Sequence, residues 1–291
     1  MRKPTKGNRS AARSITGPGS GGGGGAADPV ALAETLGFGY WDFSDAGNYV
    51  TGASGLYQLL DQTGSGHVGT LSDRSGTGGS SNTVQAGSGL GTGYCRVAGA
   101  SGDRCMWLNA PPVSNELIMV VVFRTVGATG NGQFEGPWTH QFGSPGRPGF
   151  IFNQSGTLGN WTLNTGGGGA GDTTNQSEAS NVAHTNNPID NDWHCVALHH
   201  GSSLFEGLMM DLDGEQLVDT AGLTHNDHGT MTSFCCFCDD QSLAGGGGSN
   251  LHTMDIGAIA WGTDEDVIAH SQTRSLASEL MSAFGITDLS P

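Results

Sequence analysis

An Asp-Gly pair between two apolar stretches is the feature that most constrains the fold of this chain. Asp213 and Gly214 separate a run that ends at Leu212 from one that begins at Glu215. Asp-Gly readily adopts positive φ at both central positions of a tight turn, so the pair is a strong signal for a two-residue β-hairpin. A further apolar stretch opens at Trp193 and reads as a strand of the same sheet. The sequence predicts three antiparallel strands over Trp193–His199, Leu204–Leu212 and Glu215–Val218.

The composition favours an all-β fold with many loops. Glycine accounts for 51 of the 291 residues, while 13% of residues are charged and 35% are hydrophobic. Short apolar runs between glycine-rich stretches are typical of an all-β chain and fit a helical protein poorly. Glu116–Val126 is the strongest predicted strand, and its unbroken apolar character suggests burial on both faces.

Both ends of the folded region carry further predicted elements. A short helix is expected after Asp28 as the N-cap and before Gly37 as the stop, and a second helix over Thr273–Phe284. Leu251–Trp261 reads as the last strand, with Met254, Ile256, Ala258 and Ala260 expected on one face. The remaining predictions are a turn over Asn109–Pro112 and two long polar loops over Ser72–Gly93 and Gly166–Asn187.

Charge divides the chain into a basic arm and an acidic body. The arm, residues 1–27, is rich in glycine, and the body, residues 28–291, is expected to be a single domain. The body holds 6 of the 11 basic residues and all 27 acidic ones, which gives it a charge of −21. Such a body should repel nucleic acid and anionic membranes. The basic residues of the arm are Arg2, Lys3, Lys6, Arg9 and Arg13.

The arm itself has two readings. It can be a solubilising tail without fixed structure, because basic termini are common. It can also be an anchor that docks on an acidic protein surface or touches nucleic acid.

Membrane insertion, metal binding and disulfides are not expected. The longest apolar run, Leu117–Phe123, is too short to cross a bilayer, and no apolar core of a signal peptide is recognisable near the N-terminus. The six cysteines are therefore expected to be free, buried thiols. Cys235, Cys236 and Cys238 lack the spacing of a zinc site, so a half-buried strand is the preferred interpretation and no cofactor is expected.

Several phrases resemble the concanavalin A-like (laminin-G-like) β-sandwich domains of bacteriophage virion proteins. Trp41–Asp45 followed by Leu60–His67 is similar to the family's opening, although Leu60 replaces a tryptophan and Thr63 a serine. Asp192–Ala197 and Met210–Gly214 resemble two further strands of the family, and Ile256–Ala260 with the segment 274–286 resembles its closing strand and helix. The resemblance implies an antiparallel jelly-roll sandwich with a short C-terminal helix.

The resemblance leaves the function open, because such sandwiches serve as lectins, glycosidases and structural modules. For a glycosidase, the nearest carboxylate set is Asp211, Asp213 and Glu215, in which Asp211 and Asp213 could share a strand face. The hairpin would instead place Asp213 in the turn and Glu215 on the return strand. We therefore expect no catalytic residues.

A glycan binder would stack sugars on exposed aromatic rings. Trp138 and Trp161 are the possible glycan contacts, with Trp107 and the His199-His200 pair as further candidates. The alternative is that these tryptophans fill the core of the sandwich.

The first expectation is therefore a non-enzymatic virion structural protein of a tailed phage. It would be made in the host cytoplasm and sit on the outside of the capsid or tail, as a capsid decoration or head-fibre protein. Its arm would bind the major capsid protein or another virion protein, and copies would associate symmetrically, with a trimer possible. A tail-fibre adhesin that binds host glycans is the second expectation, and a glycoside hydrolase the third.

Overall fold

A computed structural model gives the fold of the chain. It describes residues 28–51, 57–64, 68–72, 82–97, 106–113, 117–127, 133–140, 148–153, 160–165, 177–182, 190–200, 208–220, 231–236, 253–263 and 268–291. The basic arm over residues 1–27 lies outside the described residues, so its anchoring role stays a prediction.

The described residues form two helices and seventeen strands. In chain order the elements are α1 (Pro29–Thr35), β1 (Gly39–Asp42), β2 (Tyr49–Thr51), β3 (Tyr57–Leu60), β4 (Val68–Ser72), β5 (Asn82–Gln85), β6 (Tyr94–Val97), β7 (Met106–Val113), β8 (Leu117–Val126), β9 (Gln133–His140), β10 (Pro148–Asn153), β11 (Asn160–Thr165), β12 (Ser177–Val182), β13 (His194–His200), β14 (Leu208–Leu212), β15 (Glu215–Thr220), β16 (Met231–Cys236), β17 (Thr253–Thr263) and α2 (His270–Phe284). The all-β prediction is confirmed.

Two antiparallel sheets make up the sandwich. The described strands of the first sheet follow the order β15-β14-β13-β8-β17-β6-β5, with β1 also paired to β17. Those of the second sheet follow the order β12-β11-β10-β9-β16-β7-β4-β3-β2. Helices α1 and α2 lie together on the outer face of the first sheet, where α2 packs on β13 and β8.

The predicted hairpin is confirmed. Leu212 pairs with Glu215, and Asp213 and Gly214 form the turn between β14 and β15 with φ of 50° and 79°. Both central residues therefore adopt the left-handed conformation that the Asp-Gly pair favours.

Strand β8 is the centre of the first sheet, as its apolar run predicts. It pairs with β13 on one side and β17 on the other. Ile118, Val120 and Val122 contribute to the core under the helices, while the alternate residues Met119 and Val121 are buried on the opposite face. An antiparallel strand that is covered on both faces needs no polar side chains over this length.

Strand β17 corrects the predicted apolar face. The register shifts at Gly257, since Ile256 pairs with Phe123 but Ala258 pairs with Val122. This bulge places Met254 and Ile256 on the face away from the helices, and Ala258 and Ala260 under them. A one-residue bulge moves every later side chain to the opposite face, and simple alternation cannot anticipate it.

Both predicted helices are present. The Asp28 side chain accepts a hydrogen bond from the Val30 backbone N–H at 3.0 Å, and Gly37 follows α1 with a φ of 74°. Helix α2 begins three residues earlier than predicted and ends at Gly285, whose φ is 70°. Its apolar stripe of Leu276, Leu280, Met281 and Phe284 is buried on the sheet.

The predicted turn over Asn109–Pro112 is wrong, because these residues belong to β7. Pro111 and Pro112 lie where strand pairing is interrupted. The pairing of β7 with β4 stops at Asn109, and its pairing with β16 is irregular between Met231 and Ser233. Proline is tolerated in a strand at such irregular positions. The two long loops are also wrong in part, since they contain β5 and β12.

In the part of the chain that the structure describes, neither helix combines the length and the apolar character needed to cross a bilayer. Cys95 and Cys195 are buried and free, as expected for these two thiols.

Candidate functional site

A partly open cavity of about 370 Å³ lies between α2 and the β14–β15 hairpin, and we call it the α2 cavity. Strands β13 to β15 form one wall, and α2 and the C-terminal segment form the others. Its lining is formed by Cys195, Ala197, Asp211, Gly214, Gln216, Ser271, Arg274, Ser275, Ala277, Ser278, Met281, Asp288, Ser290 and Pro291. A volume above 300 Å³ is within the usual range for small-molecule sites.

One face of α2 supplies most of the polar groups. Ser271, Arg274, Ser275 and Ser278 follow the spacing i, i+3, i+4 and i+7, which aligns side chains along one side of a helix. The Ser275 hydroxyl donates a hydrogen bond to the Ser271 carbonyl at 2.8 Å. The apolar stripe of α2 packs on the sheet, so its polar face is turned towards the cavity.

An arginine–aspartate pair joins α2 to the sheet within this cavity. Arg274 Nε donates to Asp211 Oδ2 at 2.7 Å, and a terminal nitrogen of the same guanidinium donates to Oδ1 at 3.3 Å. Asp211 is buried in β14, whereas the Arg274 side chain is 32% exposed. The planar guanidinium matches both carboxylate oxygens and so fixes the position of the helix on the strand.

The segment after α2 forms the outer rim of the cavity. Asp288 accepts hydrogen bonds from the Ser278 hydroxyl at 2.7 Å and from the Ser290 backbone N–H at 2.9 Å. Partial burial on its own would raise the pKa of Asp288, but these hydrogen bonds outweigh it and lower the pKa below its ordinary value. The carboxylate at the rim is therefore ionised at neutral pH.

The hairpin turn holds this segment in place. Leu289 donates its backbone N–H to the Asp213 carbonyl at 2.8 Å. A Cβ on Gly214 would lie 2.8 Å from the Ser290 nitrogen, so the turn and the segment pack closely at a glycine. The Asp-Gly turn thus contributes to the rim as well as reversing the chain.

The carboxylate of Asp213 forms hydrogen bonds in the interior of the protein. It accepts hydrogen bonds from the Cys195 backbone N–H and from His194 Nδ1, each at 2.7 Å. His194 Nε2 lies 3.0 Å from Asp190, so the ring bridges two carboxylates. Desolvation lowers the pKa of His194, but the contacts with Asp213 and Asp190 outweigh it and the net pKa is raised.

The candidate catalytic set is therefore split. Asp211 lies in a strand, Asp213 in the turn, and Glu215 on the return strand, as the hairpin predicts. Asp211 and Asp213 are both buried and are bound to Arg274 and to His194, respectively.

The lining suits a neutral polyhydroxyl ligand. Hydroxyl groups, a side-chain amide and the partly exposed guanidinium provide donors and acceptors close together, and Met281 and the alanines provide apolar surface. Arg274 is matched by Asp211, and Asp288 adds a further negative charge, so an anionic ligand would be repelled. Among the described residues of the lining there is no aromatic ring, so these residues would hold a ligand by hydrogen bonds and apolar contacts.

Two of the aromatic residues predicted as glycan contacts belong to another part of the fold. Trp138 and Trp161 lie in β9 and β11 of the second sheet, separated by β10, and their side chains are outside the described ones. Their role as glycan contacts stays a prediction. His199 is buried, and its Nδ1 lies 2.9 Å from the Thr273 hydroxyl oxygen. This candidate therefore belongs to the interior of the protein.

Sequence reasoning missed the serines, Arg274 and Asp288. Arg274, Ser275 and Ser278 lie within the predicted helix, but a polar face of a helix is more often simply solvated, and Ser271 lies before the predicted start at Thr273. Among the described residues, no group of three or more potential metal-ligating side chains comes together.

The fold, but no family, can be placed by comparison with known proteins. No protein-family model and no curated protein matches the sequence. Two similar structures are the binding domain of Paraclostridial Mosquitocidal Protein 1, with a TM-score of 0.51 and 10% identity, and the Botulinum Neurotoxin serotype G binding domain, with 0.50 and 12%. The match covers 84% and 82% of this chain but only 52% and 50% of those chains.

A third similar structure is domain 4 of an extracellular arabinanase from Geobacillus stearothermophilus, in complex with arabinotriose. Its TM-score is 0.49 at 14% identity, and the match covers 82% of this chain and 97% of that domain. At such identities the first two comparisons establish the fold alone, and this chain spans about half the length of those two chains. The chain has the fold of these two binding domains, and the comparisons give no support to the expected link to phage virions.

Proposed function

We propose that this protein is a non-enzymatic, lectin-like binding module that holds one unit of a neutral carbohydrate in the α2 cavity. The observation that carries the proposal is the polar lining of that cavity, in which serine hydroxyls surround the Arg274–Asp211 pair. Sugar hydroxyls both donate and accept hydrogen bonds, so they are matched by a site that offers both kinds of group. The first two chains of similar fold are described as binding domains, which is consistent with a binding role.

The absence of catalysis is part of the same proposal. A glycosidase needs one carboxyl group that stays protonated near neutral pH to act as the acid. The pKa of Asp288 is lowered, and both oxygens of Asp211 accept hydrogen bonds from Arg274, so neither group is arranged as a proton donor. The cavity is therefore better suited to hold a sugar than to cleave it.

The test is a screen of neutral and acidic oligosaccharides, followed by calorimetry with the strongest neutral ligand. Ser275 is exposed on α2 and lines the cavity, so Ser275→Tyr should occupy the space and weaken binding at least about tenfold. Ser282 is exposed on the same helix but is not part of the lining, which makes Ser282→Tyr the matched control.

Two results would overturn the proposal. Binding that is unchanged in Ser275→Tyr would place the ligand outside the cavity. Release of reducing sugar from the bound glycan, lost in Asp211→Asn, would favour an enzyme instead.

We also propose the virion role as a second, independent function, because the charge distribution favours it. A basic arm on a body of charge −21 can bind an acidic partner without attracting that partner to the body. The structure describes none of the arm, so the proposal rests on sequence. It implies a capsid or tail protein as the partner and a location on the particle surface.

Copurification tests the virion role. The full-length protein and a version that starts at Asp28 are mixed with phage particles stripped of their surface proteins. Binding of the full-length protein alone supports an anchoring arm, and equal binding of both moves the anchor to the sandwich. If neither protein binds, the virion role is wrong, and the carbohydrate proposal is unaffected.

A further inference from the structure

A row of charged side chains crosses three neighbouring strands of the first sheet. Arg96 in β6 pairs directly with Asp255 in β17, and Asp255 pairs directly with Arg124 in β8. The row lies on the same face of the sheet as α2, because Trp193 packs both on Arg124 and on Phe284 at the end of that helix. We call these three residues the arginine row.

Asp255 holds both arginines through its two carboxylate oxygens. Arg96 donates from Nε at 2.7 Å and from a terminal nitrogen at 2.9 Å, and Arg124 donates from Nε at 2.8 Å. The carboxylate is fully buried, whereas the Arg96 and Arg124 side chains are 36% and 28% exposed. One arginine would neutralise the aspartate, so the second leaves the row with a net positive charge in an acidic protein.

Two aromatic rings hold the guanidinium groups in fixed positions. The Cζ atom of Arg124 lies 5.1 Å from the ring centre of Tyr94 and 4.7 Å from that of Trp193. Arg96 lies over the same tyrosine at 5.3 Å. Stacking on aromatic rings and a bidentate carboxylate limit the movement of both side chains, so a ligand would find them already ordered.

The row leaves hydrogen-bond donors for a ligand. Within the described residues Arg124 uses only Nε in a hydrogen bond, and Arg96 uses Nε and one terminal nitrogen. A guanidinium has five N–H groups in a planar fork, which matches the two oxygens of a carboxylate. The remaining terminal N–H groups of these two partly exposed arginines form an edge that can bind an anion.

We propose that the arginine row is a second binding site, which takes the carboxylate group of an acidic sugar or another small organic acid. The site is separate from the α2 cavity and has the opposite charge preference. A single negative charge matches its surplus of one cation, whereas the acidic body would repel a more highly charged ligand. It does not depend on the carbohydrate proposed for the α2 cavity.

The test follows the Nε–H signals of the arginines by nuclear magnetic resonance during titration of the full-length protein. The probes are glucuronate, acetate, glucose and inorganic phosphate. Glucuronate should shift the signals of Arg96 and Arg124 in a saturable way, and glucose should not. Stronger binding of glucuronate than of acetate assigns the site to sugar acids, and equal binding assigns it to small carboxylates.

Arg124→Lys is the informative variant, because it keeps the net charge and removes the planar fork. It should weaken glucuronate binding by about tenfold or more, and Arg96→Lys serves as a second variant in case the first destabilises the sheet. Both are first checked by thermal unfolding. Failure of glucuronate and acetate to bind, unchanged binding in both variants, or binding of phosphate in preference to glucuronate would overturn the proposal.

Discussion

Replacing Asp213 by asparagine should show how strongly the hairpin turn is tied to the sheet. Asparagine has nearly the same shape and tolerates the positive φ of 50° at this position, so the turn conformation itself is little affected. The aspartate side chain accepts one hydrogen bond from the Cys195 N–H and one from His194, and it is fully buried. The amide of asparagine retains a single acceptor oxygen, so one of these two donors loses its partner while His194 is protonated on both ring nitrogens.

The expected loss in the free energy of unfolding is about 3 kcal/mol. A buried donor without a partner costs roughly 1–3 kcal/mol, and a hydrogen bond to a charged group is worth about 1.5–3 kcal/mol. For a domain of this size each kcal/mol corresponds to roughly 2–4 °C, so the melting temperature should fall by about 6–12 °C.

The loss should also depend on pH. The pKa of His194 is raised in the folded protein above the ordinary value of 6.5. A histidine whose pKa is higher in the folded protein than in the unfolded protein stabilises the fold. This stabilisation is complete at pH values below the pKa in the unfolded protein, and it disappears as the pH rises through the pKa in the folded protein. Because Asp213 is the first source of the upward shift, the difference between wild type and Asp213→Asn should be larger at pH 6 than at pH 8.5.

Urea unfolding followed by tryptophan fluorescence at both pH values measures this difference. Asp192 is exposed in the neighbouring loop, so Asp192→Asn serves as the control and should change stability by less than about 0.5 kcal/mol. An Asp213→Asn protein as stable as the control, or a difference that grows from pH 6 to pH 8.5, would refute the reasoning.

Two further predictions concern the packing of the first sheet. A Cβ on Gly257 would overlap the Phe284 ring and lie 3.2 Å from Trp193. Gly257→Ala should therefore lower the free energy of unfolding by about 1–3 kcal/mol in urea unfolding, and an unchanged stability would contradict the close packing at the bulge. Burial raises the pKa of the Cys95 and Cys195 thiols, so both should resist alkylation at pH 8 in the native protein and react once it is unfolded, as mass spectrometry of the labelled peptides would show. Rapid labelling of either thiol in the folded state would show that the core is open.

The two binding sites differ in how far they could be foreseen. Helical spacing within the predicted helix brings Arg274 and Ser278 to one face, whereas Ser271 lies before the predicted start of that helix. What this face contacts was not visible in the sequence, since Asp211 lies 63 positions before Arg274 along the chain. Arg96 and Arg124 lie 159 and 131 positions from Asp255, and no local pattern connects them.

The sequence by itself determined the local features of this protein. The Asp213-Gly214 turn, the start of α1, the C-terminal ends of both helices and the buried strand β8 depend on backbone preferences and on apolar periodicity within a few residues. Tertiary structure decided the rest, including the bulge at Gly257, the strand formed by Asn109–Pro112 and the alignment of the arginine row. Strand register is fixed by the packing of segments that are distant along the chain, and that packing leaves no signal in any single segment.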